Sequence, residues 1–304
     1  MTTATTDTAA LGALGLRWRP SGQASLSGSL LGLQHSLDHA FGTLLASIWG
    51  ALEERHPATL AATDLEQLGY LRSFPHQATF AIPLAADEAN IDEFLAGPVL
   101  DGDAAVLTRT APATEILTPA ACYHIYLAHA GEALTGPAYV TTRNTCFRRE
   151  TEYHPLRRQW SFSMREIVCI GTADDTSEFL TDARAVVDRF LALIELPLQW
   201  EKATDPFFRP DTNPRHLFQK VMPTKFEATY GDGLAIASLN RHYEHFGETT
   251  NLEIAGGPAH SACAAFGLDR WMFAIVDRFG TDPAAWPDVV AAAQTVRDEK
   301  GLSA

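Results

Sequence analysis

Apolar residues recur at three- and four-residue spacing from Ser29 to His56, with Leu37, Phe41, Leu44, Leu45, Ile48 and Leu52 on one side. That period predicts a long amphipathic helix. A second helical pattern runs over Thr176–Leu198, and a third over Asp282–Glu299. Alternation with period two predicts strands elsewhere. "YVTTRNTCFRRE" (139–150) enters, "TEYHPLRRQ" (151–159) turns, and "WSFSMREIVCIG" (160–171) returns. On the return strand Trp160, Phe162, Met164, Glu166, Val168 and Ile170 share one face. "HQATFAIPL" (76–84), "PTKFEATY" (223–230) and "LAIASLN" (234–240) are further strand candidates, and 105–131 mixes short strands and loops. "CAAFGLDRWMFAIVDRFG" (263–280) begins as strand and turns helical after Gly267. Strands in hairpin-like runs, not strict strand–helix alternation, predict an α+β fold with an antiparallel sheet flanked by helices. Residues 1–24 are expected to be a disordered lead-in and 25–304 a single domain.

The chain has 304 residues, 46% hydrophobic and 20% charged, and formal net charge -14. That balance argues against a general nucleic-acid-gripping surface, which needs clustered Lys and Arg. No run of apolar residues is long enough for a membrane span. The N-terminus lacks a basic stretch ahead of an apolar core and is not expected to be a signal peptide. Cys122, Cys146, Cys169 and Cys263 form no CxxC pair, and reduced thiols in the cytoplasm are the expectation. Neither Gly-rich nucleotide loop, GxGxxG after a strand or GxxxxGK[ST], is present.

Against this acidic background the hairpin holds six arginines between Arg143 and Arg165, with Glu150 and Glu152 the acidic residues of that interval. Arg148 and Glu150, two apart, are expected on one strand face. Arginine, an aromatic ring and an inward carboxylate (Arg148, Phe162, Glu166) suit an elongated ligand with an aromatic head and an anionic middle, because the guanidinium fork binds phosphate bidentately. A solvated, salt-bridged hairpin on a sheet edge is the other reading. Arg148 and Arg158 are the functional candidates; Arg143, Arg149, Arg157 and Arg165 are solvated or structural. His35 and His39 lie i,i+4 on the first helix and are read as its polar edge.

"TCFRRE" followed by "LRRQWSF" resembles motif 2 of class II aminoacyl-tRNA synthetases of the seryl type, and "AAFGLDRW" resembles a reduced motif 3 with Gly267 and Arg270. The helix from Ser29 followed by "GYLRSFP" stands in the place of motif 1, the dimer-forming element. "LTPAACYHIY", "SFSMREIVCIGT", "MPTKFEATYG" and "IASLNRHYEHFG" bring the chain closer to the amino acid:[carrier protein] ligases, truncated relatives of the zinc-dependent archaeal seryl enzymes.

The resemblance implies that Arg148 holds the α-phosphate of ATP, with Glu150 near the nucleotide or the substrate amine. It implies Phe162 stacked on adenine, with Arg158 and Arg270 on the outer phosphates. It implies zinc on Cys122, Glu166 and Cys263. Three such ligands leave one tetrahedral position open for a substrate amine. Cys146 and Cys169 are core filler. Asn240 and His242 are candidates for substrate or ATP contact, and Lys225 for phosphate. The strand before motif 3 is apolar here, which leaves the magnesium ligands open, with Glu227 a candidate replacement.

The implied activity is ATP-dependent activation of a small amino acid as acyl-adenylate. The acid is glycine- or alanine-like, or an N-substituted glycine analogue such as a hydrazino acid. Transfer to the phosphopantetheine thiol of an acyl or peptidyl carrier protein follows. The enzyme is expected to be a cytoplasmic homodimer using Zn2+ and ATP with Mg2+, with no tRNA and no membrane partner. Carrier docking is expected at Arg157 or at "FFRPDTNPRHLF" (207–218). Seryl-type tRNA charging, or a silent synthetase-like regulatory subunit, are the alternatives.

Overall fold

The computed structural model describes residues 8–301. Seven strands form the central sheet: β1 (Leu52–Glu54), β2 (Ala138–Phe147), β3 (Ser161–Gly171), β4 (Gln199–Ala203), β5 (Lys225–Tyr230), β6 (Leu234–Tyr243) and β7 (His260–Gly267). Their spatial order is β4-β5-β6-β7-β3-β2-β1. Every neighbouring pair is antiparallel except β1 with β2, which is parallel. The expected antiparallel sheet is therefore present, with one parallel edge strand. Among the described residues no helix is long and apolar enough to cross a membrane.

Period-two alternation gives the sheet two unlike faces. Ala262, Ala264 and Phe266 of β7, with Ile167 and Cys169 of β3, face the main core. That core is closed by four helices: α1 (Gly28–His39), α2 (Ala173–Leu193), α3 (Leu268–Phe279) and α4 (Val289–Glu299). Phe41 stacks on Phe266 at 4.3 Å and tilts against Trp271 at 5.0 Å. A reciprocal capping box between Thr172 and Asp175 starts α2, satisfying backbone donors that the first turn would otherwise leave open. On the opposite face Val168, Ile170, Cys263 and Ala265 form a smaller core with Ile125, Tyr126 and Phe246. These last three come from the short helices Tyr123–Ala128 and His245–Thr250, which roof that side.

Several local expectations are corrected. The long helix expected to reach His56 ends as α1 at His39. It continues as a π-helical turn over Ala40–Leu45 and a 3-10 turn over Ala46–Trp49, then stops at Gly50 in the left-handed region (φ 65). Residues 52–54 are strand because they pair with Val140–Thr142, a long-range contact invisible to periodicity. The expected lead-in is ordered from Thr8 onward. A helix (Thr8–Ala13) and a hairpin (Leu16–Arg19 with Gln23–Leu26) bury Leu11, Leu14 and Leu16 in the main core; residues 1–7 lie outside the described residues. "HQATFAIPL" shrinks to Phe80–Ala81, and the mixed stretch 105–131 contains the helix Tyr123–Ala128.

Arg165 lies on the helix-facing side of β3 and is 3% exposed. It bonds Asp38 of α1 at 2.8 Å and Glu53 of β1 at 3.0 Å. Arg143 joins the same cluster through Asp38 (3.2 Å) and Gln34 (2.9 Å). Gly42 makes room for this guanidinium, since a Cβ there would come 2.5 Å from Arg165 Cζ. Removing one partner of a buried ion pair leaves the other charge desolvated and uncompensated. Arg165→Ala is therefore expected to lower unfolding free energy by about 3 kcal/mol in urea denaturation, whereas Arg149→Ala, at an exposed position, should change it by less than about 0.5 kcal/mol.

Candidate active site

The sheet register assembles the site in two rows. Glu227, Ser238, Ala265 and Glu166 are successive cross-strand partners, and so are Lys225, Asn240, Cys263 and Val168. Residues two apart on a strand point the same way, so all of these side chains face the roofing helices. Cys122 precedes the helix Tyr123–Ala128 and comes down onto the same place from above. The donor atoms of Cys122, Glu166 and Cys263, from three separate parts of the chain, lie within 4.8 Å of one another, and all three residues are buried.

Backbone and side-chain bonds fix this cluster. Glu166 Oε1 accepts from the Ala121 N–H at 3.2 Å. Asn240 Nδ2 donates to Cys263 Sγ at 3.3 Å. His242 sits behind Cys263, its Nδ1 bonded to Tyr126 Oη (3.1 Å) and Ser261 Oγ (3.2 Å). Burial pushes that imidazole down to about 4, so it is neutral near pH 7. The Cys122 thiol is pushed well up, first by its hydrogen bond with Cys263, then by burial and the Glu166 charge. For Cys263 the bond from Cys122 works downward, but burial and Glu166 raise it overall. Burial likewise raises Glu166 against the bonds it accepts. Three acidic groups, buried together and each raised overall, are a donor set suited to a cation. Two sulfurs and an oxygen within this radius fit a tetrahedral ion, whose sulfur ligands stand about 3.8 Å apart at zinc–sulfur lengths. Cys146 and Cys169 are buried outside the cluster, as expected of core filler.

A cavity of about 490 Å³ opens above the triad, walled by Tyr70, Phe74, Tyr123, Phe207 and Phe246. Tyr70 and Phe74 belong to "GYLRSFP", which thus lines the cavity. A second cavity of about 100 Å³ lies alongside, lined by Arg148, Glu150, Arg158, Phe162, Glu227 and Arg270. Arg148 and Lys225 belong to both. The Arg148 guanidinium lies 5.2 Å from the Phe162 ring centroid. Arg270 is oriented by donating to Arg157 O (2.9 Å) and Ala235 O (2.8 Å). Arg158 lies 3.6 Å from Glu152 in the turn. Lys225 Nζ lies 3.2 Å from Asp205 and 3.1 Å from Glu227. Burial opposes the Lys225 charge, but those two carboxylates raise its pKa overall.

All twelve residues singled out from the sequence thus line one cavity or the other. One detail differs: β2 ends at Phe147, so Arg148 and Glu150 meet in the loop beyond it and do not share a strand face. The arginines divide by position. Arg143 and Arg165 are structural, and Arg148 and Arg158 line the second cavity. Arg149 is exposed, while Arg157, which also borders the second cavity, pairs with Asp232 (2.9 Å) and lies over Phe273. His35 and His39 are exposed on α1. Sequence reasoning missed Asp205, Gln219 and Asp269. Asp269 is buried and accepts from the Ser163 N–H at 2.7 Å beside Phe162. It lies within "AAFGLDRW", so its position next to Arg270 was the available signal; Asp205 sits in an irregular connection that offered none.

A six-stranded antiparallel array with a parallel edge strand, a motif-2-like hairpin and an arginine at the head of α3 define a class II aminoacyl-tRNA synthetase catalytic fold. M. kandleri SerRS, solved in complex with A. aeolicus tRNASec, superposes with a TM-score of 0.78 at 17% identity, over 96% of this chain and 61% of that longer one. No protein-family model matches the chain. Amino acid--[acyl-carrier-protein] ligase 1 of Bradyrhizobium diazoefficiens is 36% identical over 256 residues, 82% of this chain and 76% of the relative. Ligase 2 of the same organism is 35% identical over 255 residues, 80% and 75%. The chain belongs to the amino acid--[acyl-carrier-protein] ligase family.

The donor cluster is testable without any substrate. Chelator-treated protein titrated with cobalt(II) is expected to develop a sulfur-to-cobalt charge-transfer band that saturates at about one ion per chain. Cys122→Ser and Cys263→Ser should each weaken or abolish it, and Cys146→Ser and Cys169→Ser should leave it intact. An undiminished band in Cys263→Ser would show that these donors do not act together.

Proposed function

We propose that this enzyme activates a small amino acid with ATP and passes the acyl group to the phosphopantetheine thiol of an acyl or peptidyl carrier protein. The observation that carries the reading is the adjacency of the two cavities. The buried Cys122–Glu166–Cys263 cluster opens into one, and the other, sharing Arg148 and Lys225 with it, gathers Arg158 and Arg270. An amino acid anchored by its amine at the first would present its carboxylate toward phosphates held in the second. The carrier protein enters the reading from the names of the curated relatives.

Bound at the triad, zinc would supply a Lewis-acidic position for an amine-type nitrogen. That chemistry suits glycine- or alanine-like acids and equally an N-substituted glycine such as a hydrazino acid. Asn240 and His242 border this position. In the activation step a substrate carboxylate oxygen bonds to the α-phosphorus as the bond to the bridging oxygen breaks, and pyrophosphate leaves. Arg148 and Arg270 neutralise the developing charge, Arg158 engages the outer phosphates, and Phe162 and Glu150 hold the base end; the rate gain comes from positioning and electrostatics. Mg2+ accompanies the phosphates, with Glu227 at hand. The carrier thiol then attacks the carbonyl, AMP departs, and a thioester remains; a free thiol pKa of about 8.5 already supplies some thiolate near neutrality. Transfer to a carrier and not to tRNA, a homodimer, and residence in the cytoplasm belong to the same reading. Docking of the carrier falls to Arg157 or the 207–218 segment.

Purified protein is expected to exchange pyrophosphate into ATP with at least one acid of a panel of glycine, alanine, serine and hydrazinoacetic acid, and to contain about one zinc per chain. Arg148→Ala should lower the exchange rate by about 10²–10³-fold. With phosphopantetheinylated carrier protein, labelled acid should become thioester-bound; label retained on tRNA instead would favour the charging reading. No exchange with any acid would overturn the proposal in favour of a silent subunit.

A further inference from the structure

The two cavities meet along a short seam whose shared walls are Arg148, Met164, Lys225, Ser238 and Ala265. Two of these are cations. Arg148 is anchored weakly, its Nε donating to Pro119 O at 3.4 Å. Lys225 is held on two sides. Glu227 reaches it at 3.1 Å from the same strand, and Asp205 at 3.2 Å from the connection between β4 and the helix Pro214–Val221. Asp205 is itself fixed by Gln219 of that helix. Gln219 Nε2 donates to its carboxylate at 2.9 Å, and Gln219 Oε1 accepts from its backbone N–H at 2.9 Å. This reciprocal pair locks the carboxylate that reaches Lys225 from outside the sheet.

Lys225 is two strands from Cys263 in the same cross-strand row. At roughly 4.8 Å per strand that is about 10 Å, which leaves room between them for an amino acid and the phosphorus it attacks. A lysine has a flexible four-carbon stem and loses aim unless its ammonium is tethered.

We propose that Asp205 is a positioning residue for the activation step, holding the Lys225 ammonium at the seam where the substrate carboxylate and the α-phosphate meet. The inference rests on reading the cavities as amino-acid and nucleotide pockets. Lys225 touches the reacting phosphate; Asp205 acts only through Lys225. The pair thus supplies a tethered cation beside the loosely held Arg148, present before substrate arrives and needing no reorganisation during the reaction.

The test is steady-state pyrophosphate exchange by the full chain with Asp205→Asn, Asp205→Glu, Lys225→Met and the double variant Asp205→Asn/Lys225→Met. Asp205→Asn is expected to lower kcat by about 10- to 100-fold while the amino-acid KM moves less than about threefold. Lys225→Met should lose at least as much, and the double variant no more than Lys225→Met alone, because residues acting as one unit do not add. Asp205→Glu should recover part of the rate. Metal content and melting temperature, measured on each variant, separate this from a general packing defect. Full-rate Asp205→Asn, or a double variant whose loss is the product of the single losses, would overturn the proposal. Should Asp205→Asn fail to fold, Gln219→Leu replaces it, with a loss of about 3- to 10-fold expected and an unchanged kcat overturning the idea. Wild-type protein that exchanges with no acid would instead overturn the functional reading itself.

Discussion

Two thiols and a carboxyl group buried against one another cannot all carry charge unless a cation joins them. That constraint organises the site-facing half of the molecule. It needs Glu166 and Cys263 on adjacent strands, two residues out of step, and Cys122 at the start of a helix laid across them. The register of β3 with β7 meets the first need, and the packing of Ile125 and Tyr126 against Phe246 and the sheet meets the second. Because the same face carries Asn240 and Lys225 on the next two strands, a cluster that tolerates one ion also sets its distance from the phosphate-facing cations.

An acidic protein with a basic hairpin is less paradoxical once the arginines are sorted by the direction in which they point. Odd-numbered positions of β3 face the helical core, so Arg165 is buried there and tied to Asp38 and Glu53. Even-numbered positions face the cavities, where Phe162, Met164 and Glu166 lie. The loop beyond β2 brings Arg148 and Arg158 to the second cavity. One stretch of chain therefore performs two jobs, bracing the sheet against α1 and lining an anion cradle.

Much of this was legible in the chain. Period-two alternation marked the hairpin and the strands β5 and β6, and the helical period marked α2 and α4, because those patterns record which face of a local element is buried. Motif spacing around Arg148, Phe162 and Arg270, and the pairing of Cys122, Glu166 and Cys263, were legible by resemblance to a known family. Local patterns failed where long-range pairing outweighed them. Leu52–Glu54 reads as helix until it is seen to pair with β2, and Leu11, Leu14 and Leu16 look like a loose lead-in until the core they fill is known.

The sequence by itself determined the strands and helices whose burial follows their own period, the excess of arginine in one hairpin, and the residue types able to hold a cation and a phosphate. Only the tertiary structure decided that Arg143 and Arg165 brace the sheet against α1 while Arg149 stays exposed, and that Asp205, in an irregular connection without a motif, reaches the Lys225 ammonium. The physical reason is that side-chain chemistry and local periodicity are written residue by residue. Convergence depends on strand register and helix docking, which bring together groups separated by tens of residues.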